Sequence, residues 1–356
     1  MLLIGVPSGI VSLLMELGIY IDEYVMESNT VKLSLILPFY GVERYIGKCL
    51  ESIYKQDIPE EQYEVICIND CSLDESEQIV LQYAQKHTNL SLIRHEQNKK
   101  LGAARNTGLR AARGNYVWFI DTDDYIQENC LKRILELCEL NDVEVLHFNI
   151  QDNFGHVMRR LVPTDVVTGV EEEQISKKQQ SIEVTYPWNR IYKRNFLLSN
   201  NLWFNDLYGG DVIHTILAVN VCNRMKNVDE FFHFYRVDNY ASDTKSPGTA
   251  QKTFAMSYVL AQAIDEIIPQ IKPQWKSEIE ECVPWRINTS LKGVMRLPKA
   301  EQQSLMNLFK EKPSVHNFIM QNGNIKARLL LSNIYVMRVT SVVYTFLRNI
   351  KKKMKN

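Results

Sequence analysis

No CxxC pair occurs in this 356-residue chain, and its seven cysteines are scattered and odd in number. That pattern argues against a disulfide framework and a cysteine metal cluster, and predicts reduced, mostly buried thiols. Net charge is nearly absent too, since 41 basic and 42 acidic residues leave −1. Without a global basic field, nucleic acid is not the main partner. No glycine-rich phosphate loop of the common types occurs, which counts against phosphoryl-transfer chemistry built on one. There is no internal repeat and no low-complexity segment. The apolar stretch Met1 to Ile21 has no basic leader, contains Glu16, and is broken early by Pro7, Ser8 and Gly9. It does not have the form of a signal peptide and is marginal for a membrane span. We read Met26 as the natural start and residues 1–30 as an N-terminal extension, against the alternative of a weak membrane-facing helix.

What is present is ordinary globular composition, 45% hydrophobic and 23% charged, in a length that suits one large domain or two smaller ones. One stretch stands out. Tyr116-Val117-Trp118-Phe119-Ile120 is strand-forming and runs straight into Asp121-Thr122-Asp123-Asp124. Three carboxylates at a strand end repel one another and lose hydration. A hard divalent cation such as Mg²⁺ or Mn²⁺ relieves that cost, because it takes oxygen ligands from one or two carboxylates plus substrate phosphates. The bland alternative is a solvated acidic turn in which Asp124 caps the next helix.

Periodicity places this stretch. Short apolar runs at Val31–Leu37, Tyr63–Ile68, Leu90–Arg94, Tyr116–Ile120 and Val143–Phe148 predict strands. Helical spacing fills the intervals Glu43–Gln56, Asp74–Lys86, Leu101–Arg113 and Gln127–Leu140, with Gly114 as a C-cap. Such alternation implies an α/β fold with a mainly parallel sheet flanked by helices. Right-handed crossovers bring the strand C-termini to one edge, where ligands bind. Pro38-Phe39-Tyr40, Asn69-Asp70, Arg94-His95 and Asp121-Thr122-Asp123 collect there. Beyond residue 150 the pattern loosens into loops and a short hairpin, then a helix at Asp211–Asn220 and a strand at Glu230–Val237. Residues 245–325 read as a helical region.

No acidic residue follows Glu311. Residues 326–356 carry Lys326, Arg328, Arg338, Arg348 and a lysine cluster among apolar and aromatic positions, the pattern of a basic amphipathic helix. It can lie peripherally on an anionic membrane. The alternative is a helix docked on the protein's own core with a solvated lysine tail.

The ordered motifs Ser34-Leu35-Ile36-Leu37-Pro38-Phe39-Tyr40, Asn69-Asp70-Cys71-Ser72-Leu73-Asp74, Leu101-Gly102-Ala103-Ala104-Arg105-Asn106-Thr107-Gly108, Phe119-Ile120-Asp121-Thr122-Asp123-Asp124 and Trp188-Asn189-Arg190-Ile191-Tyr192 resemble those of family 2 glycosyltransferases of the GT-A fold. The last of these matches a segment common in bacterial members that build surface polysaccharides. The resemblance implies a GT-A, Rossmann-like catalytic domain over residues 31–240. It implies a nucleoside diphosphate sugar donor, most often a UDP-sugar, and a glycan or lipid-linked acceptor. It places Pro38, Tyr40, Asp70, Arg105, Asp121 and Thr122 around the nucleotide. Tyr40 borders the base, Asp70 accepts the uracil imide proton, and Arg105 brings positive charge. Asp123 ligates Mg²⁺ or Mn²⁺, with Asp121 sharing the ion or facing the ribose. Asp211 is the implied general base of an inverting transfer, with the competing reading of a plain helix N-cap.

Departures from the pattern are Asn69 for Asp, Gly41 for Asn, Lys99-Lys100 for a glycine pair, and Gly210 for the Glu before the base. The acceptor motif of processive members is absent, which favours transfer of one sugar. Two other readings stay open: a nucleotide-sugar-binding protein without turnover, which Gly210 keeps alive, and another metal-dependent nucleotidyl or phosphoryl transferase. His214 lines the acceptor cleft or is structural. Trp188 and Trp203 meet a sugar or pack in the core. Tyr235-Arg236 with Asn239 resembles a late segment that reaches the diphosphate. The expected location is cytoplasmic, with the tail as a route to the cytoplasmic membrane face.

Overall fold

The computed structural model describes residues 31–169, 171, 186–204, 210–239, 300 and 307. The N-terminal extension, the helical region 245–325 apart from residues 300 and 307, and the basic tail 326–356 lie outside the described residues. Among the described residues no helix is long and apolar enough to cross a membrane.

Strand β1 (Leu33–Phe39) is buried along its whole length. Its alternate residues fall into two separate cores: Leu33, Leu35, Leu37 and Phe39 on one face, Ile36 on the other. A strand buried on both faces cannot alternate apolar with polar, which is why it reads as a continuous apolar run. Strands β2 (Tyr63–Asn69), β3 (Leu90–Arg94) and β4 (Tyr116–Phe119) join it in parallel register, with Phe39 opposite Asn69 and Ile36 opposite Phe119. Helix α1 (Ile46–Ile53) covers the first face with Ile46, Cys49, Leu50 and Ile53. Helix α2 (Ser76–Ala84) packs beside α1. Helix α3 (Lys100–Ala111) covers the second face.

Close approach on that second face depends on glycine. A Cβ on Gly108 would sit 2.3 Å from Ile36 Cγ2, so α3 rides directly on β1. Gly114 is not the left-handed cap expected of it. The helix ends at Ala112 in extended backbone, and Gly114 instead lets the chain pass Ser34, whose backbone N would lie 2.7 Å from an added Cβ.

After β4 the chain forms the short β5 (Tyr125–Ile126) before α4 (Leu131–Asn141). The helix starts later than expected because its first N–H groups are satisfied from α1's end. Gln56 Oε1 accepts from Cys130 N and Leu131 N, at 2.9 and 3.1 Å. Asp124 does not cap it.

Next come β6 (Val145–His147), then β7 (Ile150–Asp152) and β8 (Val157–Arg159), which form the expected hairpin. Strand β9 (Arg190–Lys193) is followed by α5 (Arg194–Ser199), α6 (Gly210–Val221), β10 (Met225–Asn227) and β11 (His233–Tyr235). The main sheet has seven strands in the order β10-β6-β9-β4-β1-β2-β3. Strand β9 lies antiparallel between β4 and β6, so the sheet is mainly rather than wholly parallel. The sequence places Trp188-Asn189-Arg190-Ile191-Tyr192 in a compact aromatic segment. The structure makes its second half a central strand and buries Trp188, whose carbonyl accepts from Trp118 Nε1 at 2.7 Å. A second, four-stranded sheet has the order β5-β11-β7-β8.

Candidate active site

The C-terminal ends of β1, β2 and β4 meet the start of α6 and the chain just after β11. Tyr40 follows β1 and is 53% exposed. Gly41 takes φ +67° there, and its N–H donates to Ser72 Oγ at 3.2 Å. The β1 and β4 ends are tied together, since Thr122 Oγ1 donates to the Pro38 carbonyl at 3.0 Å. Thr122 is buried, so within the protein its hydroxyl and Pro38 fix the acidic turn.

Asp70 is buried and gathers three donors. Its Oδ1 meets His95 Nδ1 at 2.7 Å and accepts Lys99 N at 2.8 Å, while Oδ2 accepts Lys100 N at 2.8 Å. A carboxylate offers about four acceptor positions, so this one is largely engaged in shaping the loop ahead of α3. His95 passes the link on to Thr107 Oγ1 at 2.9 Å. Lys100 sits at φ +74°, in the left-handed region. That explains why the family pattern has glycine here: a side chain in this conformation costs on the order of 1 kcal/mol, which Asp70 helps to offset. Asn69 keeps a neutral role, with Oδ1 accepting from Ser72 N at 2.8 Å.

Arg105, fully buried on α3, joins two carboxylates. Nη2 donates to Asp121 Oδ1 and Nη1 to Asp211 Oδ1, both at 2.6 Å. These two aspartates are far apart in sequence and share one guanidinium. Burial pulls the Arg105 pKa down, but Asp211 and Asp121 outweigh it and hold it above its ordinary value. Asp211 lies in the first turn of α6 with its side chain 32% exposed. Burial pushes its pKa up, Arg105 opposes that, and Asp121 adds to it, with a raised net position. A raised carboxylate is a better proton acceptor at neutral pH.

Asp123 and Asp124 are held by residues just after β11. Asn239 Nδ2 donates to Asp123 Oδ2 at 2.9 Å, and Arg236 Nε donates to the Asp123 carbonyl at 2.6 Å. Arg236 N donates to Asp124 Oδ1 at 2.7 Å. Burial, followed by the charge of Asp121, pushes the Asp123 pKa up. Asp124 is raised well above the ordinary range by burial, then by Asp123 and Asp121. The donor set is oxygen-only and mutually repelling, which fits a hard divalent cation held through Asp123 and Asp121. Among the described residues no three His, Cys, Asp or Glu side chains form a complete cage, so such an ion would draw further oxygens from substrate.

The structure therefore brings Asp121, Asp123, Arg105 and Asp211 into one charged group. Asp70, Pro38 and Thr122 form the frame beneath it, and Tyr40 is exposed at its rim. The clamp on Asp123 from Arg236 and Asn239 was signalled in the sequence only by the late Tyr235-Arg236 segment. His214 is structural: it is buried and stacks on Phe204 at 3.8 Å, and burial pulls its pKa down to about 3. Trp203 is half-buried, with Arg110 4.9 Å from its ring.

Comparison with known proteins agrees with this architecture. The family described as Glycosyl transferase family 2 matches residues 34–198. The uncharacterized glycosyltransferase EpsJ of Bacillus subtilis (strain 168) is 31% identical over 221 residues, covering 60% of this chain and 63% of EpsJ. The poly(ribitol-phosphate) beta-N-acetylglucosaminyltransferase TarS of Staphylococcus aureus (strain MW2) is 31% identical over 208 residues, covering 58% of this chain and 35% of TarS. The chain thus spans less than two thirds of either relative's length. A crystal structure of S. aureus TarS 1–349 in complex with UDP matches with a TM-score of 0.67 and 24% identity, covering 88% of this chain and 91% of that one. That likeness establishes the GT-A fold. Over residues 34–198, this chain is similar to glycosyl transferase family 2.

Proposed function

We propose that the protein transfers one sugar from a nucleoside diphosphate sugar, a UDP-sugar, to a hydroxyl of a glycan or lipid-linked acceptor, with inversion at the anomeric carbon. The observation that carries this reading is the Arg105 bridge, which brings Asp211 and Asp121 onto one guanidinium at 2.6 Å each. A base beside the donor-side acids is what an in-line displacement needs. UDP in the TarS structure supports the uridine donor.

In this mechanism Asp211 takes the proton from the acceptor hydroxyl. The acceptor oxygen bonds to the anomeric carbon as the bond to the diphosphate oxygen breaks, and the electron pair leaves with UDP. Arg105 holds Asp211 in place through Oδ1 and keeps Asp121 turned toward the same space. Asp123, fixed by Asn239 and Arg236, would hold Mg²⁺ or Mn²⁺ with Asp121. When bound, the ion neutralises charge on the departing diphosphate. Tyr40 borders the uracil, and Asp70 keeps the loop at Lys99 and Lys100 beside it. The work is done at the cytoplasmic membrane face, where residues 326–356 give peripheral contact.

The test is a panel of nucleotide sugars with Mn²⁺ or Mg²⁺, following donor hydrolysis and transfer. A turnover signal lost in Asp123→Ala is expected. Tight donor binding with no turnover on any acceptor would instead make the protein a nucleotide-sugar-binding module.

A further inference from the structure

A cleft of about 300 Å³ lies outside the donor site, where α1 meets β5 and β11. Its floor is aromatic. Tyr125 and Phe234 stack at 4.8 Å with their planes 17° apart, both half-buried. Its rim is charged but balanced: Lys48 and Lys55 face Glu51 and Glu128, two charges of each sign. Lys55 pairs with Glu51 at 2.9 Å and with Glu128 at 3.1 Å, and Lys48 Nζ rests 3.9 Å from the centre of the Tyr125 ring. The walls are tied together beneath the cleft. Ile126 N donates to Ser52 Oγ at 3.1 Å, and Gln56 Nε2 donates to the Gln127 carbonyl at 2.9 Å.

One lining residue, Tyr125, directly follows the acidic turn in the chain. Arg236 places its guanidinium 5.6 Å from the Tyr125 ring and 5.0 Å from Tyr45, while its Nε reaches the Asp123 carbonyl. Helix α1 lines the cleft, and its eight residues span about 12 Å at 1.5 Å per residue. A ligand held against Tyr125 thus lies one residue along the chain from the turn that carries Asp123.

We infer that this cleft is a remote acceptor subsite that binds an uncharged, hydroxyl-rich sugar unit of the acceptor chain, away from the hydroxyl that reacts. The inference rests on the glycosyltransferase reading above. The apolar Tyr125–Phe234 pair suits the C–H groups of a pyranose. Surrounding carboxylates, ammonium groups and amides suit its hydroxyls, the usual division of labour in a small-ligand site. The balanced charge favours a neutral sugar over a phosphate polymer, which would meet two glutamates. Exposed rim residues with long side chains can re-pair with hydroxyls at little cost, because surface ion pairs are weak.

The test uses the full chain with UDP and Mn²⁺ present. Saturation-transfer NMR and calorimetry are run with maltotetraose, cellotetraose and chitotetraose as probes. At least one probe is expected to bind. The exposed double variant Lys48→Ala/Glu128→Ala is expected to weaken it about tenfold, the loss of two solvent-exposed hydrogen bonds of ordinary net strength. Phe234→Ala, which removes half of the floor, weakens it further, and circular dichroism melting checks that each variant remains folded. Equal binding by wild type and both folded variants overturns the subsite. So does UDP binding with no probe bound, or binding of a glycerol phosphate oligomer in place of the neutral probes. If the wild type neither binds UDP nor turns over any donor, the glycosyltransferase reading fails and the subsite with it.

Discussion

The acidic turn after β4 is held differently at its two ends. Asp121 is met by a full buried charge, Arg105, which it shares with Asp211. Asp123 and Asp124 are met mainly by a neutral amide and a backbone N–H, from Asn239 and Arg236. The difference shows in their chemistry. Burial and mutual repulsion leave Asp123 and Asp124 raised. Arg105 pairs directly with the Asp121 carboxylate, whereas the Arg236 guanidinium reaches only the Asp123 carbonyl and leaves Asp123 and Asp124 raised, a deficit that a cation would fill. In the proposed mechanism one end organises the base and the other holds the ion, although both belong to a single four-residue segment.

Substitutions can break that contrast, and their expected effects fall in order. Asp123→Ala removes the ion-binding end and is expected to lower donor turnover by about 10³-fold, read from steady-state kinetics with Mn²⁺. Asp211→Asn leaves the shape intact but removes the proposed proton acceptor. Transfer falls by about 10²–10³-fold while UDP affinity, measured by calorimetry, is held. Transfer at the wild-type rate in this variant would sink the base assignment. Arg105→Met leaves Asp121 and Asp211 facing each other without their shared cation. Both carboxylates are partly solvated, so the loss is expected at the low end for a broken buried pair, about 3 kcal/mol by urea unfolding. Asn239→Ala removes the neutral clamp on Asp123 and is expected to weaken Mn²⁺ affinity about tenfold, with the UDP-bound protein titrated by Mn²⁺.

The pH dependence sharpens the same contrast. Only ionised Asp211 can accept a proton, and its pKa is raised by burial. Activity is therefore lost on acidification sooner than an ordinary aspartate near 3.9 would require, so the acid limb of kcat/KM lies above that value. Arg105 lowers the Asp211 pKa, so Arg105→Met moves the limb higher still. A limb at the same pH in both proteins would show that another group controls it.

The sequence was most legible where strands are buried on both faces. Leu33–Phe39, Tyr63–Asn69 and Tyr116–Phe119 read directly as strands, because each lies in a core that admits few polar side chains. The late elements were harder to read. Strand β9 is short and antiparallel, and its partners β4 and β6 both precede it by dozens of residues. No local pattern announces that it separates them. Helix α4 was placed too early because its N-terminus is satisfied by Gln56 from a different element.

By itself the sequence determined the composition of the site: acids at the end of a buried strand, an arginine on the preceding helix, and an aspartate opening a late helix. It also determined the glycines at 108 and 114 that let α3 and its exit loop approach β1. Only the tertiary structure decided the assignments. It gave Arg105 to both Asp121 and Asp211, Asn239 and Arg236 to Asp123 and Asp124, and Asp70 largely to its own loop. The physical reason is that a buried charge takes its partner from whatever the fold brings within 3 Å, and that proximity is set by sheet order rather than by distance along the chain.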